Sequence, residues 1–427
     1  MAEPDRPRPQ AAASASPGFS GAEPTAAEAA EAPRSRLAEA VWASLPSALS
    51  VALSLLICLL MIAITKGSLS LAGNAYLEML RGGLGDLETF GETGAWTQLT
   101  RPWGEAATKA AILTFTGLSV AVAYRAGLFN IGAQGQMTVG AITAAVLGAK
   151  LSLPFGLHAA VCVLGAAAAG GAYAVLPAVL KLRRGVHEVI STIMLNWIAI
   201  SLVENWLVVG PLRATTTGNN SISGTDQILP TAVLPRLLSD GSRMHFGFIL
   251  ALLAAVATWV WLFRTRLGFE TRAMGQNAEA ARAAGIPSAR RALQAMVLAG
   301  ALAGVAGSVL VQGTEMRFPA TLGAPYGFDG IAIALIGETH PLGVAASALL
   351  FGVLRAGGTR MQLLGVHKSF PELIQGLALL FVAGRLIWQW ALTRRRKRAP
   401  APAAAAPPSS APPAVSTPGA AAAGGGA

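Results

Sequence analysis

Apolar segments long enough to cross a lipid bilayer recur along the chain between residues 45 and 393. A hydrocarbon core about 30 Å thick requires roughly 20 residues of helix. Every backbone polar group inside that core needs a partner, which favours helices over open sheets. Hydrophobic residues make up 53% of the sequence and charged residues only 12%, unlike a soluble domain. The sequence therefore predicts an all-α integral membrane protein.

The apolar pattern predicts about ten transmembrane helices, of which the eighth is the shortest. Their predicted ranges are 45–64, 107–124, 131–149, 154–180, 188–209, 246–263, 293–312, 325–338, 341–357 and 370–392. Two runs of small residues, 166–172 and 299–307, predict close contact between helices, since small side chains let two backbones approach.

Basic residues predict the orientation, because lysine and arginine concentrate on cytoplasmic loops. Basic residues cluster at 181–184, at 394–398 and, as six arginines, between Arg264 and Arg291. With both termini in the cytoplasm, all three clusters lie on the cytoplasmic side. The segments 65–106 and 210–245 are then predicted to be external loops, and the turn at 340–341 an internal one.

The two ends of the chain have the composition of disordered segments. Residues 1–44 and 393–427 are rich in Ala, Pro, Ser and Gly, apart from the basic cluster that opens the second. Such segments bury too little apolar surface to fold. We therefore predict two disordered cytoplasmic tails around a transmembrane domain at 45–392, and we read the first apolar run as a retained helix.

Several function classes lack the residues that they need. No GxxxxGK[ST] loop is present to hold nucleotide phosphates. The five histidines are scattered, and both cysteines lie in apolar segments, so we predict no metal site and no resident cofactor. The net charge is +11, but the basic residues lie in short clusters that flank apolar segments, which excludes a nucleic-acid-binding domain. No constellation supports a membrane enzyme, and intramembrane carboxylates are too sparse to favour an ion-coupled carrier.

The longest internal loop, 264–292, carries a very short helix with both ends marked. Asn277 can cap its first turn, Glu279 suits the positive end of the helix, and Gly285 can end it. Alanines, including Ala280 and Ala281, occupy the turns between them. The helix is too small to be a domain, yet its shape suits insertion into a groove of another protein.

The order Glu279, Ala280, Ala281, Gly285 resembles the EAA loop of ABC-importer permeases. Three further stretches resemble the branch that serves nucleosides and simple sugars, which is also the branched-chain amino acid and ribose type. They read RAGLFNIGAQGQ (125–136), EVISTIMLNWIA (188–199) and GETHPLGVAASALLFGVLRAGG (337–358). The resemblance covers residues 45–392 and leaves out both tails.

This resemblance implies a type II permease subunit of an ATP-driven importer in a bacterial plasma membrane, with nucleosides as the expected substrate. ATP and Mg²⁺ would be bound by a separate ATP-binding cassette subunit, on which the loop 264–292 docks. The further implied partners are a second permease subunit, an extracytoplasmic substrate-binding protein or lipoprotein, and membrane lipid. A simple-sugar or riboflavin-like substrate is the alternative within the class, and an ion-coupled secondary carrier the alternative outside it.

A polar segment at 125–136, called the break, follows the second predicted helix and extends into the third. Asn130 can cap a helix that resumes at Ile131, from which Gln134 and Gln136 would project. Two interpretations remain open, a re-entrant segment along the substrate path and a plain cytoplasmic turn. The similar permeases usually have Glu where this chain has Gln134, which puts in doubt any role there that needs a carboxylate.

The fifth predicted helix adds three candidates for the substrate path. Asn196 and Glu204 lie eight positions apart, so they share one helix face about two turns apart, and Trp197 lies beside the first. The alternative for these side chains is hydrogen bonding between helices.

Overall fold

The computed structural model describes residues 36–214, 224–238, 241–367 and 369–398. These residues form helices and connecting segments, with two isolated β-bridges, Gly224 to Pro319 and Arg236 to His245. The α-helices are α1 Arg36–Lys66, α2 Leu69–Leu84, α3 Leu87–Thr93, α4 Thr97–Arg125, α5 Ala133–Lys150, α6 Leu157–Arg184, α7 Glu188–Leu202, α8 Gly247–Arg264, α9 Arg266–Gln276, α10 Ala278–Ala283, α11 Ser288–Leu310, α12 Tyr326–Ile336, α13 Pro341–Met361 and α14 Phe370–Arg398.

Each of the ten predicted helices coincides with an observed helix, although several ends differ. Within the described residues, seven helical segments are long and apolar enough to cross a membrane, and α12 and the Phe370–Gly384 part of α14 are shorter apolar helices. Helix α1 starts at Arg36, within the segment predicted as the N-terminal tail, and α14 continues to Arg398, within the segment predicted as the C-terminal tail. The rest of both tails, 1–35 and 399–427, lies outside the described residues.

The prediction of an external loop at 65–106 is wrong, because this segment contains α2, α3 and the start of α4. One face of α2, including Ala72, Ala75 and Met79, is fully buried. It lies so close to α13 that a side chain on Gly357 would clash with the Met79 carbonyl. Three acidic residues of this segment, Glu78, Asp86 and Glu88, form ion pairs with Arg81 near the end of α2.

Helix α4 lies at the centre of the bundle, and 94% of the residues in its apolar, membrane-spanning part are buried inside the protein. Beside it, α6 and α11 cross where Gly170 meets Gly300 and Gly304, and a Cβ on Gly304 would clash with the Ala166 carbonyl. This contact confirms that the small residues at 166–172 and 299–307 serve close packing. Without side chains in the way, two helix backbones gain dispersion contacts that lipid cannot match.

Two ends of the bundle can be told apart by which helices start and stop there. At one end, called the coupling end, α4, α8 and α12 stop and α9, α10 and the start of α11 lie. Arg125, the last residue of α4, donates two hydrogen bonds of 3.1 Å to the carbonyls of Glu338 and Thr339 there. At the opposite end α4 and α8 begin, and Ser242 donates to the Thr100 carbonyl at 2.9 Å.

The segment between α7 and α8, predicted as a polar connector, is held against the opposite end. Gln312 donates a hydrogen bond of 2.6 Å to the Ala232 carbonyl, and Leu229 N–H donates to the Gly148 carbonyl at 2.8 Å. Residues 215–223 and 239–240 of this segment lie outside the described residues. Some of its backbone groups thus find partners on α5 and just beyond α11, and others within the segment itself, as in Leu237 N–H to the Met244 carbonyl at 2.8 Å.

Candidate functional site

The short helix α10 has the cap that its sequence predicts. The Asn277 side-chain oxygen accepts hydrogen bonds from the Glu279 and Ala280 N–H groups, both at 3.0 Å. Two of the donors that every helix leaves unpaired at its start are thereby satisfied. Gly285 follows with φ of +79°, a left-handed conformation that glycine adopts without strain. The helix is thus a complete unit of the loop 264–292, with its own start and end.

Most of α10 is exposed, which leaves its surface available to another protein. Glu279, Ala280 and Ala283 are all exposed, and only Ala281 is buried, at 5% exposure. The Ala281 carbonyl also accepts a hydrogen bond of 2.9 Å from Ile286 N–H. Of the predicted docking residues, Ala281 therefore anchors the turn to its own protein, while Glu279 and Ala280 form the outward surface.

An ion-paired brace connects this loop to the transmembrane helices. The Glu270 carboxylate on α9 lies 2.7 Å from Arg291 on α11 and 2.8 Å from Arg266. Hydrogen bonds from Arg291 and Arg266 hold the pKa of Glu270 below its ordinary value. Because carboxylate and guanidinium form short charge-assisted hydrogen bonds, the pair ties α9 firmly to α11.

A second contact joins the loop to the polar break. Near the end of α9, Gly275 touches the backbone of the turn at Arg125 and Gly127, where a side chain on Gly275 would clash with the Arg125 carbonyl. The break itself begins with this turn, in which Gly127 has φ of +72°. The end of α9 is thus packed directly against the end of α4 and the start of the break.

The break then continues as a buried irregular segment up to α5, which starts at Ala133 and not at Ile131 as predicted. Asn130 is fully buried and caps the turn, accepting from Gly132 N–H at 3.0 Å. Its amide nitrogen donates to the Gln136 side-chain oxygen at 2.9 Å. The break thus consists of a turn next to the end of α4, followed by an irregular segment that leads to α5.

Two further amides complete a group that we call the amide cluster, composed of Asn130, Gln134, Gln136 and Asn196. Asn196 on α7 accepts from Gly135 N–H and donates to the Ile131 carbonyl, both at 2.8 Å. Gln134 accepts from Gly327 N–H at the start of α12, at 2.7 Å. Together these bonds join α5, α7 and α12 around the break.

The remaining predicted path residues lie elsewhere. Trp197 points away from the amide cluster and is 62% exposed. Glu204 lies in a π-helical turn, Val203–Leu207, and accepts a hydrogen bond of 3.0 Å from Leu322 N–H. The six candidates along the path therefore do not form one site.

A polar cavity of about 560 Å³ at the opposite end escaped the sequence-based prediction. We call it the outer cavity. It is lined by Glu105, Thr108, Lys109, Ile112, Arg243, Thr314, Glu315, Tyr326, Ala356 and Thr359. These residues come from α4, α12, α13, the end of α11 and the segment before α8. The one available signal was Lys109, a lysine inside an apolar helix, where a charge is costly unless it has a function or a partner.

Neither polar region has the composition of a metal centre. In the described ranges, no group of three or more His, Cys, Asp or Glu side chains is placed to hold a metal ion. The outer cavity instead offers carboxylates, cations, hydroxyls and one phenol, which suits hydrogen bonding to a small polar molecule.

Comparison with known proteins places the chain in a family. Residues 104–383 match the family described as branched-chain amino acid transport system / permease component. The guanosine ABC transporter permease protein NupP of Bacillus subtilis is 37% identical, over 66% of this chain and 81% of its own length. The nucleoside permease NupB of Lactococcus lactis is 32% identical, over 66% and 79%.

A relative with a different named substrate is nearly as similar. The glucose ABC transporter permease protein TsgB13 of Haloferax volcanii is 35% identical, over 66% of this chain and 77% of its own length. No solved structure matches the chain. The family match covers most of the helices described above, from α4 to α14. The chain therefore belongs to the branched-chain amino acid transport system permease family and is a multi-pass permease of the plasma membrane.

Proposed function

We propose that the chain is the transmembrane permease subunit of an ATP-driven nucleoside importer. The observation that carries the proposal is α10, a capped and exposed helix braced against the transmembrane helices. Nucleosides are the favoured substrate because relatives of this chain are named as guanosine and nucleoside permeases. ATP and Mg²⁺ are bound by a separate ATP-binding cassette subunit, and this chain carries no catalytic residue.

In this mechanism α10 receives the movement of the ATP-binding subunit. Glu279 and Ala280 provide the outward surface, and Asn277 and Gly285 keep the helix short and intact. Two connections convey the movement inward: the Glu270 to Arg291 pair leads to α11, and the contact of Gly275 with the turn leads to α4. A small displacement at α10 thereby biases the whole bundle between its two arrangements.

The amide cluster takes a mechanical role in this proposal. Because its side chains hydrogen-bond to the break, to α7 and to α12, it keeps these elements together when the turn moves. Asn130, Gln134, Gln136 and Asn196 are then positioning residues and not substrate contacts. Trp197 and Glu204 lie outside the cluster, and the exposed Trp197 lies on a surface suited to lipid or the second permease subunit.

Two other substrates remain as alternatives within the class. A simple sugar is favoured by the relative named as a glucose permease, and a riboflavin-like molecule is a further candidate. Substrate delivery by an extracytoplasmic binding protein or lipoprotein belongs to the same proposal. Competition of labelled adenosine and guanosine uptake by glucose and by riboflavin separates these candidates.

Charge reversal on α10 tests the coupling role. Glu279→Lys and Gly285→Leu should abolish nucleoside uptake while the protein still inserts into the membrane, because one alters the docking surface and the other strains the left-handed end. Glu92→Lys provides a matched control, since Glu92 is an exposed carboxylate on α3 at a distance from the coupling end. Normal uptake in both α10 variants would contradict the coupling role.

An energy-source experiment separates the importer from a secondary carrier. Uptake should stop when cellular ATP is depleted and persist when a protonophore collapses the proton gradient. The reverse pattern would contradict an ATP-driven importer and favour the ion-coupled carrier. Purification in mild detergent should additionally recover an ATP-binding subunit and a second permease.

A further inference from the structure

We propose that the outer cavity is the vestibule through which an uncharged polar substrate enters the permease, from the side opposite α10. The inference rests on the proposed function and deepens it, because it assigns the entry site and the class of molecule that fits. It also moves the substrate path away from the amide cluster, where the sequence alone suggested it.

The position of the cavity fits an entry route. Lys109 lies 16 residues before the end of α4 at Arg125, a distance of about 24 Å along the helix axis. Arg243 and Thr359 lie near the same end, on the segment before α8 and near the end of α13. The cavity therefore lies at the end of the bundle that is far from α10.

The floor of the cavity reaches membrane depth. Tyr326 begins α12, a helix of only 11 residues that ends at the coupling end, so Tyr326 lies about 15 Å above that end. A half-length helix with its N-terminus at mid-depth is how many transporters build a substrate site, because the terminus offers unpaired N–H donors. Gln134 holds one of these donors, Gly327 N–H, and thereby fixes the position of the floor.

The rim of the cavity carries a second irregularity. Thr314 and Glu315 belong to a π-helical turn, Val311–Glu315, which ends α11. Such turns are frequent at functional sites, since the wider turn redirects side chains that a regular helix would point elsewhere. The Thr314 hydroxyl is buried and has no hydrogen-bond partner within the described ranges. Because this oxygen is shielded from solvent, a molecule in the cavity can reach it only if the turn shifts.

Charge balance indicates the class of substrate. The lining contains two carboxylates, Glu105 and Glu315, and two cations, Lys109 and Arg243. Arg243 pairs with Glu105 at 3.3 Å, and Lys109 donates to the Arg355 carbonyl at 3.0 Å. With no excess of either sign, the lining offers hydrogen bonds without selecting a charged molecule.

The size and the remaining lining agree with this class. A volume of about 560 Å³ lies within the usual range of about 300–1,000 Å³ for small-molecule sites. Thr108 and Thr359 add hydroxyls, and Tyr326 adds an aromatic ring. The Arg355 guanidinium lies over one face of this ring, 5.7 Å from its centroid, so a flat heterocycle would stack on the other face. A molecule with a polyhydroxylated part and a flat ring, such as a nucleoside, matches the volume, the hydroxyl groups and the aromatic ring of the cavity.

Thiol labelling from outside the cell tests the inference. In a chain in which Cys58 and Cys162 are replaced by Ala, Thr359→Cys should react in intact cells with a membrane-impermeant methanethiosulfonate. Val186→Cys, exposed between α6 and α7, should react only after permeabilisation, and Ala348→Cys, which is fully buried, should stay unreacted. The variants are expressed with their partner subunits, and adenosine should slow the labelling of Thr359→Cys.

The outcomes distinguish the two proposals. Unreactive Thr359→Cys in intact cells, or labelling that adenosine does not slow in a complex that imports adenosine, would overturn the vestibule. If the unsubstituted complex imports no nucleoside, the proposed substrate is wrong, and external labelling alone then decides whether the cavity opens outward.

A second variant pair tests the aromatic floor without relying on labelling. Tyr326→Leu should reduce nucleoside uptake at low substrate concentration about tenfold, since stacking of a base on an aromatic ring is worth about 1–3 kcal/mol. Tyr326→Phe should retain most of the uptake because the ring remains. Equal uptake in the two variants, at equal protein levels, would contradict contact between the ring and the substrate.

Discussion

The amide cluster and the outer cavity both place polar side chains within membrane-spanning helices, yet they differ in where their hydrogen bonds go. In the amide cluster, Asn130, Gln136 and Asn196 are bonded to one another or to nearby backbone groups and are at most 1% exposed. In the outer cavity, the side chains surround an open volume, and the Thr314 hydroxyl has no partner within the described ranges. A polar residue at membrane depth thus indicates a substrate path only when its donors and acceptors remain available.

Energetics explain why the two regions differ. A backbone group without a partner in hydrocarbon costs several kcal/mol, so a broken helix needs side chains that replace the lost hydrogen bonds. The amide cluster supplies them and cannot also bind substrate without opening the break. The side chains that line the outer cavity do not replace hydrogen bonds of a broken helix. Substituting them should therefore alter transport more than stability.

The largest expected effect is on stability, from Asn196→Leu in the amide cluster. The substitution leaves Gly135 N–H and the Ile131 carbonyl buried without a partner, a loss of about 2–6 kcal/mol for the two groups. The melting temperature of the purified complex should fall by many degrees. Trp197→Leu, on the adjacent exposed position, is the matched control and should melt near the unsubstituted protein. Similar melting of both variants would show that the cluster is not a structural lock.

A smaller effect is expected at Gln134, where the similar permeases usually carry Glu. Gln134→Leu leaves Gly327 N–H unpaired and should cost about 1–3 kcal/mol. Gln134→Glu keeps the acceptor, and the positive end of α12 favours an anion there, so this variant should be the more stable of the two. Thermal melting of both variants measures the difference. If Glu and Leu destabilise equally, the hydrogen bond to α12 carries little of the stability.

The ion pair between Glu270 and Arg291 is a charged contact outside the membrane spans. Its effect on stability can be compared with that of the uncharged amide cluster. Folding lowers the pKa of Glu270, so the ion pair stabilises the folded protein above the unfolded pKa of about 4.3. This stabilisation is lost as the pH falls through the lower pKa of the folded protein. Melting between pH 6 and pH 3 should therefore change less in Glu270→Gln than in the unsubstituted protein. Glu92→Gln, which removes an exposed carboxylate on α3, is the matched control. An unchanged pH dependence in Glu270→Gln would contradict the brace.

The smallest expected change in stability comes from the outer cavity. Thr359→Val removes a hydroxyl from an exposed position and should alter stability by less than about 0.5 kcal/mol. Uptake should nevertheless fall at low substrate concentration, because the hydroxyl lines the proposed entry. Melting and uptake are measured on the same preparation. A loss of stability comparable to that of Asn196→Leu would remove the distinction between the two regions.

Much of the fold follows from the sequence, because the signals involved are local. Apolar length predicts the helices, since each span must satisfy its backbone within itself. The cap at Asn277 and the left-handed Gly285 are equally local, as each depends on residues two or three positions away. The small residues along α6 and α11 also predict their contact without any partner being specified.

What escaped prediction depends on residues that are distant in the sequence. The helix α2 carries too many polar residues to resemble a span, and its burial is decided by its packing against α13, nearly 300 positions away. The outer cavity is likewise assembled from five separate segments, none of which is distinctive alone. The sequence offered the four amides as candidates for the substrate path together with Trp197 and Glu204, and only the structure shows which backbone groups the amides bind.

By itself, then, the sequence determined the helical membrane class, the family and the capped coupling turn, because helix formation, capping and membrane insertion act over a few turns of chain. Tertiary structure alone decided which polar groups are satisfied. Gln134 meets Gly327 across 193 positions, and Asn196 meets Ile131 across 65. A hydrogen bond at membrane depth needs its partner within about 3 Å, and that distance is set by the packing of helices around α4.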